Sequence, residues 1–259
     1  MRSLKNKIVL ITGASSGIGK ACAEQFAEKG AKLILTARRA DRIRCLATTL
    51  QEKFSVECLP IPLDVQDKNQ VRQVLETLPA TWQKIDILVN NAGIALTLDK
   101  MQDAKVEHWE TMLNTNVHGL LYVTRAILPG MIARNEGHII NMGSVASHQT
   151  YVGGNIYAAS KSAVHAISQS LRFDLMGTKI RVTHISPGAV ETEFSEVRFD
   201  DKVRAKKFYQ DFSPLSADDI ADTVIYAATR PLHVNVSEIV IFPTDQAASH
   251  AITRSGGSS

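Results

Sequence analysis

Seven short, mostly apolar runs recur along the 259-residue chain, separated by longer stretches with apolar residues at helical spacing. The runs are Ile8–Thr12, Lys32–Thr36, Val56–Pro60, Ile85–Val89, Gly137–Met142, Ile180–Ile185 and Glu238–Phe242. In one intervening stretch Val71, Val74, Leu75 and Leu78 share a helix face. Strands that are apolar almost throughout are buried on both faces, as in a parallel sheet covered by helices on each side. The alternation predicts βαβ units with right-handed crossovers. The expected fold class is α/β, one domain built on a doubly wound parallel sheet of about seven strands. The rhythm spans residues 1–253 and departs from itself only at about 187–215, a mixed-charge stretch that reads as a substrate loop. The Gly/Ser-rich end, 254–259, reads as a flexible tail.

Composition narrows the setting. Hydrophobic residues make up 44% and charged residues 21%, which excludes global disorder. Apolar runs of a few residues, such as Ile8–Ile11, are far short of the roughly 18 that a membrane helix needs. The net charge of +3 is spread along the chain, so no nucleic-acid partner is expected. Cys22, Cys45 and Cys58 are odd in number and lack metal spacing, which points to a reducing, cytoplasmic setting. The eight His residues show no metal-binding spacing, and no metal is expected.

Thr12 leads into Gly13-Ala14-Ser15-Ser16-Gly17-Ile18-Gly19, directly after the first predicted strand and at the start of a helix. Glycines there let backbone approach a pyrophosphate, and the helix N-terminus offers free N–H groups. This makes the expected sheet a Rossmann-type one. The same residues fit G-x-S-x-G with Ser15 as a hydrolase nucleophile, but only one strand precedes them and no HGGG-type segment is present. The second strand ends Thr36-Ala37-Arg38-Arg39, with no acid before Asp41 to hold a ribose 2′-hydroxyl. Two guanidiniums suit a 2′-phosphate, so Arg38 and Arg39 predict NADP(H).

Tyr157 and Lys161 stand at i and i+4, on one helix face. A phenol titrates near 10, and bringing it to neutrality requires roughly 4 kcal/mol of differential stabilisation. Lys161 is expected to provide much of it. With the glycine turn, Asn90-Asn91-Ala92-Gly93 after the fourth run and Ser144 after the fifth, this pair resembles the short-chain dehydrogenase/reductase family. The resemblance spans about Lys5 to Phe242. It implies Tyr157 as general acid/base and Ser144 as the hydroxyl that orients the reacting oxygen. Lys161 is then the group that lowers the Tyr pKa and holds the nicotinamide ribose. Asn116 is implied to hold a water beside Lys161. The resemblance also implies cofactor contacts at Asp64, Val65, Asn91, Ala92, Gly93, Pro187, Gly188, Val190 and Thr192, beside the glycine turn.

The segments Ile85–Val89, Leu128–Met131, Tyr151–Asn155, Glu193–Phe199 and Ile241–Thr244 are similar to the family's NADP-dependent 3-hydroxy acid dehydrogenase branch. That branch acts on small acids such as L-serine, L-allo-threonine, 3-hydroxypropionate or 3-hydroxyisobutyrate. A broad carbonyl reductase, or an NADP-binding sensor without catalysis, is the alternative. A sensor has no need of Asn116, Ser144, Tyr157 and Lys161 together. Asn155 and Arg198 are candidate substrate contacts. Arg198 either clamps the substrate carboxylate as the loop closes or pairs with Glu191 or Glu196. The resemblance, and helical patterns at about Glu107–Ala133 and Asn155–Met176 that are apolar beyond one face, imply a homotetramer.

Overall fold

The sheet's order explains where a ligand can bind. In the computed structural model, which describes residues 2–255, seven strands form one parallel sheet ordered β3-β2-β1-β4-β5-β6-β7. They are β1 (Ile8–Thr12), β2 (Lys32–Ala37), β3 (Cys58–Pro62), β4 (Ile87–Asn90), β5 (Gly137–Met142), β6 (Ile180–Pro187) and β7 (Glu238–Ile241). The chain runs outward from β1 to β3 and then returns to place β4 on the other side of β1. This reversal opens a crevice at the carboxyl ends of β1 and β4, where such sheets bind ligands.

Alternate side chains of each strand enter opposite layers. Val9, Ile11, Leu33, Leu35 and Val89 pack with Phe26 of α1 (Gly17–Glu28), Ile43 of α2 (Ala40–Phe54) and Val224 of α9 (Ala217–Ala228). Leu10, Ile34, Leu88 and Ile139 pack with Val71 of α3 (Lys68–Glu76) and Ile127 of α5 (Leu120–Arg134). Leu10, Ile11, Leu33, Ile34 and Leu35 are fully buried. Truncating any one to Ala removes packing worth about 2–5 kcal/mol.

Several boundaries differ from the sequence reading. The third strand begins at Cys58, not Val56, because Ser55 ends α2 in a left-handed conformation (φ 55) and Cys58 is the first residue paired with β2. The fourth begins at Ile87 because Ile85 donates its amide to Gln83 O and accepts from Arg134. The helical pattern at 107–133 is two helices, α4 (Val106–Leu113) and α5, joined by a π-helical turn at Asn114–Gly119. Gly119 lets Val65 pack against that turn, since a Cβ there would lie 2.7 Å from Val65 Cγ2. Residues 187–215 hold two short helices, α7 (Glu193–Phe199) and α8 (Lys202–Phe208). A hairpin of β8 (Gln246–Ala248) and β9 (Ala251–Ile252) follows the sheet. Arg254 then donates to Gln210 O (2.5 Å) and Phe208 O (2.9 Å), so the start of the expected tail is tied to the loop. Residues 256–259 of that tail lie outside the described residues. No described helix is long and apolar enough to cross a membrane.

Candidate active site

A cleft of about 920 Å³ lies over the carboxyl ends of the central strands. One half is built from the glycine turn. Thr12 Oγ1 accepts from the amides of Asn91 and Ala92 (both 3.0 Å). Asn91 Nδ2 returns to Thr12 O (3.0 Å) and Gly13 O (3.2 Å). The β1 and β4 ends are thereby locked together. Gly19 makes the packing possible: a Cβ there would stand 2.4 Å from Gly13 O and 2.5 Å from Asn91 Nδ2. Gly13, Ser15, Ser16, Gly17 and Ile18 line the cleft, as do Asp64, Val65, Ala92 and Gly93. Gly19 acts from behind. The bare glycine backbone and the start of α1 fit the pyrophosphate of a dinucleotide.

Arg38 and Arg39 line the same half. Arg39 donates to Ser15 Oγ (2.9 Å) and Ser16 Oγ (2.6 Å), so its guanidinium is held beside the turn. Its remaining nitrogen meets Glu193 Oε2 at 2.9 Å, and Arg42 meets the same carboxylate at 2.8 Å. Burial works to raise the Glu193 pKa, but the two guanidiniums outweigh it and the carboxyl sits below its ordinary range. Glu193 was not among the residues singled out from the sequence. It opens the segment Glu193–Phe199 that matches the branch, but only the folded loop brings α7 to the glycine turn.

The other half holds Ser144, Tyr157 and Lys161. Ser144 stands two residues past the end of β5 and caps a short turn, accepting from Ala146 N at 3.1 Å. Tyr157 and Lys161 lie on α6 (Asn155–Asp174), both buried. Ser144 and Tyr157 line the cleft together. Lys161 Nζ donates to Met142 O (2.9 Å) and stands 5.9 Å from the Tyr157 ring centre. The expected lowering of the Tyr157 pKa by Lys161 is not what the geometry gives. Burial, with Tyr151 adding to it, pushes the phenol up to about 12, while Ser144 and Arg198 pull the other way. Burial also lowers Lys161 to about 8. Both groups lose water, and for both the neutral form gains.

Asn116 sits in the π-helical turn and is buried. Its Oδ1 accepts from Ile94 N (2.8 Å), and its Nδ2 donates to Ile94 O and Ser160 Oγ (2.9 Å each). Its side chain therefore fixes the strand-four loop, and both amide protons are already engaged. Gly93 separates it from Lys161: a Cβ there would lie 3.4 Å from Asn116 Oδ1 and from Lys161 Nζ. Asn155, an expected substrate contact, is turned to its neighbours in this structure. Its Nδ2 is taken by Asp99 O (2.9 Å), its Oδ1 caps Ile156 N (2.6 Å), and it does not line the cleft.

Arg198 does reach the half that holds Tyr157. Its guanidinium carbon lies 5.3 Å from the ring centres of both Tyr151 and Tyr157, and Nη2 donates to Tyr151 Oη at 2.5 Å. It pairs with neither Glu191 nor Glu196, and its Nε is buried with no partner. Phe194 stands 5.9 Å from the Tyr157 ring and covers it from the same helix. Pro187, Gly188, Val190 and Thr192 line the junction of the two halves. Gln246, which the sequence reading passed over, holds that junction by accepting from Ala189 N (2.8 Å). Tyr209 braces it from the loop, donating to Val190 O (2.6 Å).

The family model described as short chain dehydrogenase matches residues 7–203. The chain belongs to the short-chain dehydrogenase family. A relative named NADP-dependent 3-hydroxy acid dehydrogenase, from Salmonella typhimurium, is 47% identical over 92% of this chain and 96% of its own length. A relative named sulfoacetaldehyde reductase 2, from Chromohalobacter salexigens, is 45% identical over 93% of this chain and 96% of its own. Among solved structures, the closed form of a serine dehydrogenase complexed with NADP⁺ superposes with a TM-score of 0.90 at 44% identity. That match covers 96% of this chain and 99% of the other. The short-chain dehydrogenase assignment matches the cleft: a dinucleotide cradle on one side and a Tyr–Lys–Ser cluster on the other.

Proposed function

We propose that this short-chain dehydrogenase is an NADP-dependent oxidoreductase that interconverts a small 3-hydroxy acid and its 3-oxo acid or semialdehyde. L-Serine, L-allo-threonine, 3-hydroxypropionate and 3-hydroxyisobutyrate are the substrates to compare. NADP(H), when bound, supplies or accepts the hydride. Arg38 and Arg39 would hold its 2′-phosphate, and the glycine turn its pyrophosphate. Tyr157, a neutral phenol at pH 7, is an acid in place to protonate a carbonyl oxygen during reduction. Ser144 hydrogen-bonds the same oxygen and fixes its position. Lys161 binds the ribose side of the cleft and adds a positive charge near the reacting oxygen.

The observation that carries the substrate class is Arg198. A half-buried guanidinium that lines the cleft, 5.3 Å from the Tyr157 ring centre, suits an incoming anion. A short hydroxy acid has little apolar surface, so its charge must provide much of the binding. The relatives named above support this reading, because a 3-hydroxy acid and sulfoacetaldehyde each place an anion a short distance from the reacting carbon. The test is Arg198→Ala assayed on 3-hydroxypropionate and on a neutral secondary alcohol of similar size. A loss of kcat/KM of about 10-fold or more confined to the acid supports the clamp. Equal loss on both, or none, refutes it.

The assembly proposed is a cytoplasmic homotetramer. Supporting it, Leu121 and Ile132 of α5 and Phe173 of α6 are exposed, at 39%, 49% and 73%. Sedimentation at micromolar concentration checks it, and a monomer there contradicts it.

A further inference from the structure

Behind the catalytic cluster, three residues that the reaction does not use converge. His148 lies one turn beyond Ser144, His165 one turn beyond Lys161 on α6, and Glu238 opens β7. His148 Nε2 is 2.8 Å from Glu238 Oε1, and His165 Nε2 is 3.4 Å from Glu238 Oε2. One ligand atom from each residue lies within 4.8 Å of the others. The imidazole rings face each other edge-on, with centres 4.8 Å apart.

We propose that His148, His165 and Glu238 form a binding site for a divalent transition-metal ion, zinc by the chemistry of its ligands. Two neutral imidazoles and one carboxylate are a donor set that zinc takes, leaving a fourth position for water. Bonds of about 2.1 Å in a tetrahedron set neighbouring ligand atoms about 3.4 Å apart. The spacings here run from 2.8 Å to no more than 4.8 Å, within reach of that geometry by small side-chain rotations. Glu238 Oε1 is buried and receives no aligned hydrogen bond, although His148 is near. A shared cation satisfies that oxygen where the His148 contact does not. The three side chains are still 20–32% exposed, so an ion can enter. His184 packs behind the site, its ring 4.9 Å from that of His165. Arg172, further along α6, has its guanidinium turned to Ser237 O at 3.3 Å. A bound ion would join the Ser144 turn, the Tyr157–Lys161 helix and the last sheet strand at one point.

The experiment uses the full-length protein, stripped with a chelator and desalted, and titrated with Co²⁺ and then Zn²⁺. The expected result is one Co²⁺ per chain, with the visible bands of four- or five-coordinate cobalt, displaced by Zn²⁺. His165→Gln and Glu238→Gln are each expected to weaken binding at least 10-fold, while His233→Ala leaves it unchanged. Zinc should raise the thermal midpoint of the wild type and not of the two site variants. The titration of the wild type needs no variant to fold. Absence of cobalt bands and of retained zinc at micromolar metal overturns the proposal. So does undiminished binding in a folded His148→Ala/His165→Gln double variant, or loss of binding in His233→Ala.

Discussion

Replacing Lys161 by Met should make the protein more stable and less active at once. Lys161 is 5% exposed, and burial pulls its pKa from 10.5 to about 8. A fall of about 2.5 units at about 1.4 kcal/mol per unit places a cost of about 3 kcal/mol on the folded state at neutral pH. The sign follows from which state holds the proton more tightly. The unfolded chain does, so the full cost is present below pH 8 and is relieved as pH rises from about 8 to 10.5. Met keeps the length of the side chain and removes the charge, but Met142 O loses its donor, which costs about 1–2 kcal/mol. The net expectation is a variant about 1–2 kcal/mol more stable at pH 7, with the advantage shrinking toward zero or reversing near pH 10. Urea unfolding followed by circular dichroism at the two pH values measures it. A stability difference that does not change with pH would show that Lys161 is not a buried charge under strain. Turnover should fall with the same change, because the ammonium at the ribose side of the cleft is gone.

Tyr157→Phe should lower kcat by about 10²–10⁴-fold while NADPH still binds, as read by turnover and by fluorescence titration of the cofactor. With the phenol near 12, oxidation of a hydroxy acid depends on a scarce phenolate. Its kcat/KM should climb with pH across about pH 6 to 9, while that for reduction should not, and two parallel profiles would argue against Tyr157. Arg38→Ala/Arg39→Ala should weaken NADP⁺ by about 1.5–3 kcal/mol per lost charged contact and leave NAD⁺ nearly unaffected; equal losses would mark both residues as structural. Gly19→Ala should destabilise the fold by about 1–3 kcal/mol and loosen cofactor binding, measured by urea midpoint and dissociation constant, since its Cβ would overlap Gly13 O.

The elements legible in the sequence were those set by local pattern. Strands β1, β2 and β5 were found nearly residue for residue, because their apolar runs are bounded by sharp turns. Helical spacing placed Tyr157 and Lys161 on one face of a helix, while their roles came from the family resemblance; the glycine turn was legible from its place after β1. What failed depended on contacts between distant segments. Asn155 lies in a matched segment, yet Asp99 O claims its amide, and no spacing rule announces that. The π-helical turn at Asn114–Gly119 leaves no break in the apolar pattern, so two helices read as one. The sequence places a cation four residues from Tyr157 but does not show how thoroughly the phenol is buried, and burial raises its pKa. Desolvation is the largest influence on the phenol, and Ser144 and Arg198 pull against it without overcoming it. The loop at 187–215 announced itself only as irregular; its two helices, and the bridge from Glu193 to Arg39, arise from folding back over the cleft.

The central claim is that this cleft moves hydride between NADP and the hydroxyl-bearing carbon of a short acid. A single-turnover mixture of excess protein, NADP⁺ and L-serine or 3-hydroxypropionate tests it most directly, followed by the absorbance of the reduced nicotinamide. The account predicts rapid formation of NADPH with at least one of these acids, abolished in Tyr157→Phe. It also predicts much slower formation with NAD⁺. No NADPH from any 3-hydroxy acid, with neutral alcohols oxidised readily, would contradict it.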